Sequence, residues 1–450
     1  LKNGRGIAMK VIFPKYLFYK NKFYEDYGVL FEGDTITCVD SKKNLLEKYP
    51  QAERTYLTEQ VLLPGTVNAH NHCFQSLLRG IAADRPFLEW RDRSLYYYSP
   101  RMSKEDIYNG ALFAFGEMMK RGVTTVGDFF YLHNFGRESD EAIIQAAKDL
   151  GIRLSLNRTM YDWDGAPAGY VESVPQAVEN TLYLAESYKD DPMVNILPSP
   201  HSLHAATPEM IQKGHEIAKK LNVKFHIHVA EEPFEVEQVK KEHDGLGTLE
   251  YLDRLGVVDN SMVIIHGVWL SPEEIDLLGE KKGGLVYCPS SNMFLADGIT
   301  DIPRMLKAGV TIALGSDGAC SNNRISVFEE MRMVSLLQKA KTCDALCVNY
   351  EQAFQMGTEN GGLLLNFRIG KIEEGYKADF VGIDLEDLSM MPLSDSLEQM
   401  LPNIVYSMEP TAIRTVMVAG KPTVKDGQLI TVSEREISRR VKETMKRLNS

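Results

Sequence analysis

From Pro64 to about residue 365 the chain alternates short apolar runs with helical patterns, and nothing else in it restricts the fold as much. The runs Val123–Phe130, Arg153–Asn157, Val194–Pro198, Val223–Val229, Met262–His266, Gly284–Cys288 and Val310–Leu314 have the length of strands. Ser103–Arg121, Pro208–Leu221, Pro272–Leu278 and Ile302–Ala308, lying between them, read as helices. Such alternation predicts a parallel sheet, because a helix must carry the chain back before the next strand can start. About eight such units over roughly 290 residues is the size of a (β/α)8 barrel. The expected fold is therefore α/β, a TIM-like (β/α)8 barrel over 64–365.

Outside that stretch strands predominate. Lys10–Phe13, Gly28–Glu32, Thr35–Val39 and Gln60–Leu63 precede the barrel, and Ala378–Ile383, Ala412–Val418 and Lys425–Ile430 follow it. The simplest arrangement is a small β-sandwich domain composed of 1–63 and 366–432, with the barrel inserted between its halves and a charged helix over 433–450. A net charge of −12 sets the chain against phosphate backbones, so nucleic acid is not an expected partner. No apolar run approaches the ~20 residues that span a bilayer, so no membrane association is expected either. Leu1–Lys10 is basic without an apolar run behind it and reads as free of a secretion signal. Six scattered cysteines without a CxxC pair fit reduced thiols and a cytoplasmic enzyme.

Chemistry-bearing residues fall where strands should end. His70-Asn71-His72 follows the apolar run Val61–Leu63 and the turn Pro64-Gly65; two histidines two apart on extended backbone share a side. His226-Ile227-His228 ends another run, with Glu231 three residues beyond His228. His266 ends a third, and Asp317 follows Ile312–Leu314 within Gly315-Ser316-Asp317-Gly318. His201-Ser202-Leu203-His204 follows Ile196–Pro200. Each piece alone has a plain alternative: a buried strand histidine, a helix-capping Asp, a surface loop. Together they supply imidazoles and carboxylates from several strand ends, which is how barrel enzymes build active sites. Three imidazoles and a carboxylate suit one zinc or similar divalent ion, with Fe2+ as the other candidate.

These residues, in this order, resemble the amidohydrolase superfamily, and the resemblance covers nearly the whole chain. It rests on Leu63-Pro64-Gly65-Thr66-Val67-Asn68-Ala69-His70-Asn71-His72 and on Gly370-Lys371-Ile372-Glu373-Glu374-Gly375-Tyr376-Lys377-Ala378-Asp379-Phe380. The absence of a lysine at the strand end Ile196–His201, together with Glu231 placed after His228, resembles the mononuclear deaminase branch. The resemblance implies that His70, His72, His228 and Asp317 hold the metal, that Glu231, His266 and Asp317 handle protons, and that a homodimer is a candidate assembly.

A closer likeness, on Asn68–Gln75, Trp90-Arg91, Gly127–His133 and Pro200–Leu203, is to the formiminoglutamate deiminase family. It implies that Gln75, Arg91, Tyr131 and His201 contact a small-molecule substrate, with Arg91 and Tyr131 near a carboxylate. The chain departs from that family at His204, where the family has Arg. Losing a guanidinium fork there leaves the substrate open. The leading expectation is a metal-dependent hydrolase releasing ammonia from a C=N carbon, formiminoglutamate-like. The alternative is a deaminase of an aminopurine, pteridine or other amino-heterocycle of the guanine, adenosine or triazine type, for which an aromatic pocket with Arg91 unused would speak. A non-catalytic metal-binding protein is the remote third.

Overall fold

The computed structural model describes residues 8–450, and all but the last residues of the leader reading lie outside them. Five strands come first: β1 (Met9–Tyr19), β2 (Lys22–Glu25), β3 (Tyr27–Glu32), β4 (Thr35–Ser41) and β5 (Glu53–Pro64). Eight follow in parallel: β6 (Thr66–Asn71), β7 (Val123–Phe130), β8 (Arg153–Met160), β9 (Val194–Pro200), β10 (Phe225–Val229), β11 (Met262–His266), β12 (Gly284–Tyr287) and β13 (Thr311–Leu314). The last four are β14 (Phe380–Asp384), β15 (Ile413–Val418), β16 (Lys421–Lys425) and β17 (Gln428–Leu429).

The eight parallel strands form the expected barrel in two halves, β6 to β9 and β10 to β13. Every residue of β7 and β8 is buried, as befits strands with helices on one side and a packed interior on the other. The seams between the halves close through residues at the strand ends. At one, the His228 amide donates to the His201 carbonyl at 2.9 Å. At the other, the Asp317 amide donates to the His70 carbonyl at 3.0 Å. Gly315 permits the second seam, since a Cβ there would sit 2.7 Å from the His70 Cβ. The helices are set by ordinary signals: a capping box of Ser103 and Asp106 starts Lys104–Lys120, and Thr207 caps Pro208–Leu221.

The remaining nine strands make one sheet in the order β17-β16-β15-β14-β5-β1-β3-β4, with β2 paired to β1. The sheet doubles over: Thr35 at the start of β4 is bridged to Lys377, just before β14. Alternate residues serve different cores. Leu62 joins Ile12, Val29, Phe31 and Phe380 inside the fold of the sheet, while Val61 and Leu63 face the barrel. Arg153 at the base of β8 ties the two parts together, donating through Nε and Nη2 to both oxygens of Asp379 at 3.0 Å. The helix Glu434–Leu448 lies along Lys104–Lys120, where Asn109 donates to Thr444 at 3.1 Å.

Two expectations are corrected here. Val61–Leu63 does not lead into the histidine pair: it belongs to β5 of the sheet, and the chain enters the barrel across Gly65 alone. Its apolar run is continuous because both of its faces are covered by different cores. Lys425–Ile430 is not one strand but the hairpin of β16 and β17, turning at Asp426 and Gly427 with φ of 50° and 72°. Asp-Gly is the residue pair that such a tight hairpin turn requires.

Candidate active site

The mouth of the barrel gathers the strand-end residues. His70 lies in β6 and His72 just beyond it; His228 is in β10, His266 ends β11, and Asp317 follows β13. Turning these side chains inward bends the backbone hard: Ala230, His266 and Asp317 have φ of 52°, 71° and 57°. Non-glycine residues in this region cost about 1–3 kcal/mol each and persist where surrounding structure enforces them.

Two groups of potential metal ligands overlap at His70: His70, His72 and His228, and His70, His266 and Asp317. Two of the rings are assigned by their other contacts. His72 Nδ1 lies 2.6 Å from the Phe129 carbonyl, and His228 Nδ1 lies 2.9 Å from the His201 carbonyl. Each Nδ1 must therefore carry the proton, leaving the Nε2 lone pair free. His70 Nε2 stands 3.3 Å from His228 Nε2, and Asp317 Oδ1 lies 3.2 Å from His72 Nε2 and 3.5 Å from His70 Nε2. Burial drives the His70 pKa down to about 3 and lowers those of His72 and His228, so all three rings are neutral near pH 7. Burial alone would raise the Asp317 carboxyl, but the facing imidazoles hold it well below the usual carboxylate range. The free Nε2 lone pairs of His72 and His228, the His70 Nε2 and the Asp317 carboxylate thus converge, a donor set that fits a divalent cation. Asp317 is itself held, accepting from Ser291 Oγ at 2.8 Å and from the Gly318 amide at 2.7 Å.

Beside this cluster Glu231 Oε1 lies 3.3 Å from His266 Nε2. Burial raises the Glu231 pKa well above its ordinary value, and the nearby Asp297 and Glu235 carboxyls add to it. Asn292 Nδ2 approaches His266 Nδ1 at 3.1 Å and donates to Asp297 Oδ2 at 2.8 Å. That carboxyl contact orients the amide, so His266 Nδ1 accepts and its proton sits on Nε2, facing Glu231.

A cavity of about 90 Å³ opens over these groups. All five expected substrate residues, Gln75, Arg91, Tyr131, His201 and His204, line it. Gln75 Nε2 donates to the Tyr131 hydroxyl at 3.2 Å, and the His201 ring stacks 4.8 Å from that of His228. Arg91 is partnered on the cavity wall: its Nη2 meets Asp92 Oδ1 at 2.7 Å, and its guanidinium lies 4.4 Å above the Tyr96 ring. Much of the wall was not foreseen from sequence. Phe87, Tyr96, Tyr161, Tyr170 and Phe234 complete an aromatic lining. Only Tyr161, immediately after β8, carried a signal, its place at a strand end.

The Amidohydrolase family profile matches residues 61–423. The chain belongs to the amidohydrolase family. As a member it is a hydrolase acting on carbon–nitrogen bonds other than peptide bonds. Among its relatives is the 5-methylthioadenosine/S-adenosylhomocysteine deaminase of Syntrophomonas wolfei, 33% identical over 409 residues, 89% of this chain and 90% of the relative. The 5'-deoxyadenosine deaminase of Methanopyrus kandleri is 30% identical, with 95% and 96% covered. The amidohydrolase fold is shared with a crystal structure of an adenosine deaminase from Xanthomonas campestris with bound zinc, at a TM-score of 0.91 and 26% identity, covering 98% of this chain and 99% of that one. These relatives favour the amino-heterocycle alternative over the formiminoglutamate reading.

Proposed function

We propose that this amidohydrolase is a mononuclear, metal-dependent deaminase of adenine nucleosides, converting the 6-amino group to a 6-oxo group with release of ammonia. The observation that carries the reading is the cavity wall: aromatic faces suited to a purine, and an Arg91 engaged by Asp92 and Tyr96 instead of standing free for a carboxylate. The names of the relatives point the same way.

In this reading His70, His72, His228 and Asp317 hold one divalent ion, most simply zinc. Such an ion supplies the Lewis acidity that makes water a nucleophile near neutral pH. The residues of the chain do the rest. Glu231 protonates the ring nitrogen adjoining C6 as water adds to C6 and regains a proton from the C6 hydroxyl as the C6 carbonyl forms, while the departing amine receives the proton that the water gave up. His266, with Nε2–H held toward Glu231, orients the entering oxygen and does not act as the first base. Asp317 takes the proton that the water loses. Gln75, Tyr131, His201 and His204 line the path of the substrate.

The test is ammonia release from adenosine, 5'-deoxyadenosine, 5-methylthioadenosine and S-adenosylhomocysteine set beside formiminoglutamate. The nucleosides are expected to dominate in kcat/KM, with Arg91→Lys leaving their KM nearly unchanged. A preference for formiminoglutamate, with a KM that rises sharply in Arg91→Lys, would overturn the reading.

A further inference from the structure

Behind the catalytic cavity lies a second, larger compartment of about 490 Å³. His204 and His228 line both, so the two spaces meet at these rings. Its walls come from the loop after β8, the segment Leu203–Pro208 and the helix Pro233–Glu242. Four carboxyl groups stand on these walls, those of Asp162, Asp164, Glu235 and Glu242, and no lysine or arginine is among the lining residues; Arg91 is the cation whose charge reaches the shared His204. The other titratable groups there are His204, His228, His243 and Tyr251.

The carboxylates are not equally free. Asp162 is occupied by the amide and hydroxyl of Thr207, at 2.7 and 2.6 Å, and Glu242 accepts from Gln238 at 3.0 Å. Glu235 is different. Its residue is only 6% exposed, and its Oε2 accepts the Glu231 amide at 3.1 Å. Its Oε1 is buried without a hydrogen-bond donor; His204 Nδ1 comes within 3.2 Å but makes no hydrogen bond to it. A buried carboxylate oxygen with no donor is costly, and a positively charged donor is the partner that relieves it. The indole of Trp163, 37% exposed on the same wall, offers a face to the same kind of group.

We infer that the part of the substrate remote from the reacting carbon enters this compartment carrying an ammonium group, which Glu235 Oε1 accepts. The inference rests on the nucleoside reading above and names the substrate's second half: an adenine nucleoside whose 5' substituent ends in a primary amine. An arm ending in a carboxylate or phosphate would meet an acidic wall with no lysine or arginine among its lining residues.

Three 5'-thio-5'-deoxyadenosines with arms of equal length, ending in an ammonium, a methyl and a carboxylate, are compared by ammonia release, with adenosine as a fourth substrate. The ammonium arm is expected to exceed the methyl arm in kcat/KM by about 10- to 100-fold, the range of a charge-assisted hydrogen bond, and the carboxylate arm to fall below both. Glu235→Gln should collapse the ammonium-to-methyl ratio toward one. Asp164→Asn, at an exposed side chain, should lower the same ratio without demands on folding, and added salt should lower it further. Equal turnover of the three arms would overturn the inference and leave the nucleoside reading standing. So would a Glu235→Gln variant that slows all arms alike, because that is the signature of a residue that only positions Glu231. No release from any of the four substrates would overturn both.

Discussion

Asp379→Leu is the perturbation whose cost the structure fixes best. Arg153 is fully buried, and its guanidinium is ion-paired with Asp379 through two hydrogen bonds of 3.0 Å. Nη1 is used by the Pro192 carbonyl. Removing the carboxylate strands a cation between barrel and sheet, which costs about 3–5 kcal/mol. The Ala419 amide, which donates to Asp379 Oδ1 at 2.7 Å, also loses its acceptor. Unfolding entropy of about 2.1 cal/mol/K per residue gives the 450-residue chain about 0.9 kcal/mol/K. If sheet and barrel melt as one unit, the midpoint should fall by about 3–5 °C. The double variant Arg153→Met/Asp379→Leu removes the stranded charge; it keeps the lost acceptor of Ala419, worth about 1–3 kcal/mol, and frees the carbonyl of exposed Pro192, which water can serve instead. It should therefore recover much of the lost midpoint. Scanning calorimetry or thermal circular dichroism on wild type, both single variants and the double variant measures this. A double variant no more stable than Asp379→Leu would refute the claim that an unpaired buried guanidinium dominates the cost.

Three further outcomes concern the site. Glu231→Gln should lower turnover by about 10²–10⁴-fold while metal content and melting midpoint stay at wild-type values; near-normal turnover would assign the proton to another group. Purified protein should hold about one divalent ion per chain, since the candidate ligands form one overlapping cluster, and elemental analysis showing two tightly bound ions would refute the mononuclear assignment. Ser291→Ala removes the donor to Asp317 Oδ2 and should weaken metal retention by about 10–100-fold in competition with a chelator, whereas unchanged retention would make that hydrogen bond incidental.

What was legible in the sequence was whatever depends on local period. β7 to β13 appear as apolar runs because parallel barrel strands are covered on both faces. His70, His72, His228, His266 and Asp317 stood out because strand ends converge at a barrel mouth. The errors arose where neighbours distant in sequence decide. Val61–Leu63 reads as the apolar strand before the histidine pair, and only the pairing of β5 with β1 and β14 and of β6 with β7 shows that the pair comes at the end of a strand of its own. The pairing of Arg91 with adjacent Asp92 and its stacking on Tyr96 likewise depend on side-chain geometry that spacing does not encode. Phe87, Tyr96 and Phe234 lie outside the strand ends, so periodicity could not bring them to the cavity.

The seams of the barrel and the candidate metal ligands coincide, and this links the fold to the chemistry. His70 and His72 come with the half built from β6 to β9, His228 and Asp317 with the half built from β10 to β13. The backbone bonds that join the halves are made by the same residues: the Asp317 amide to the His70 carbonyl, the His228 amide to the His201 carbonyl. The His201 carbonyl also fixes the His228 ring through Nδ1, so one acceptor both closes a seam and sets the tautomer of a ligand. The four donor atoms therefore face one another only when the halves are docked in register. A slip at either seam would rotate a strand-end side chain out of the cluster, because side chains alternate faces at every residue. The strained φ values of His266 and Asp317 belong to the same arrangement: seam bonds and interior packing hold conformations that an isolated strand end would not keep. Barrel closure is thus what preorganises the site, and an ion bound by ligands from both halves would in turn stabilise the closed barrel over the unfolded chain.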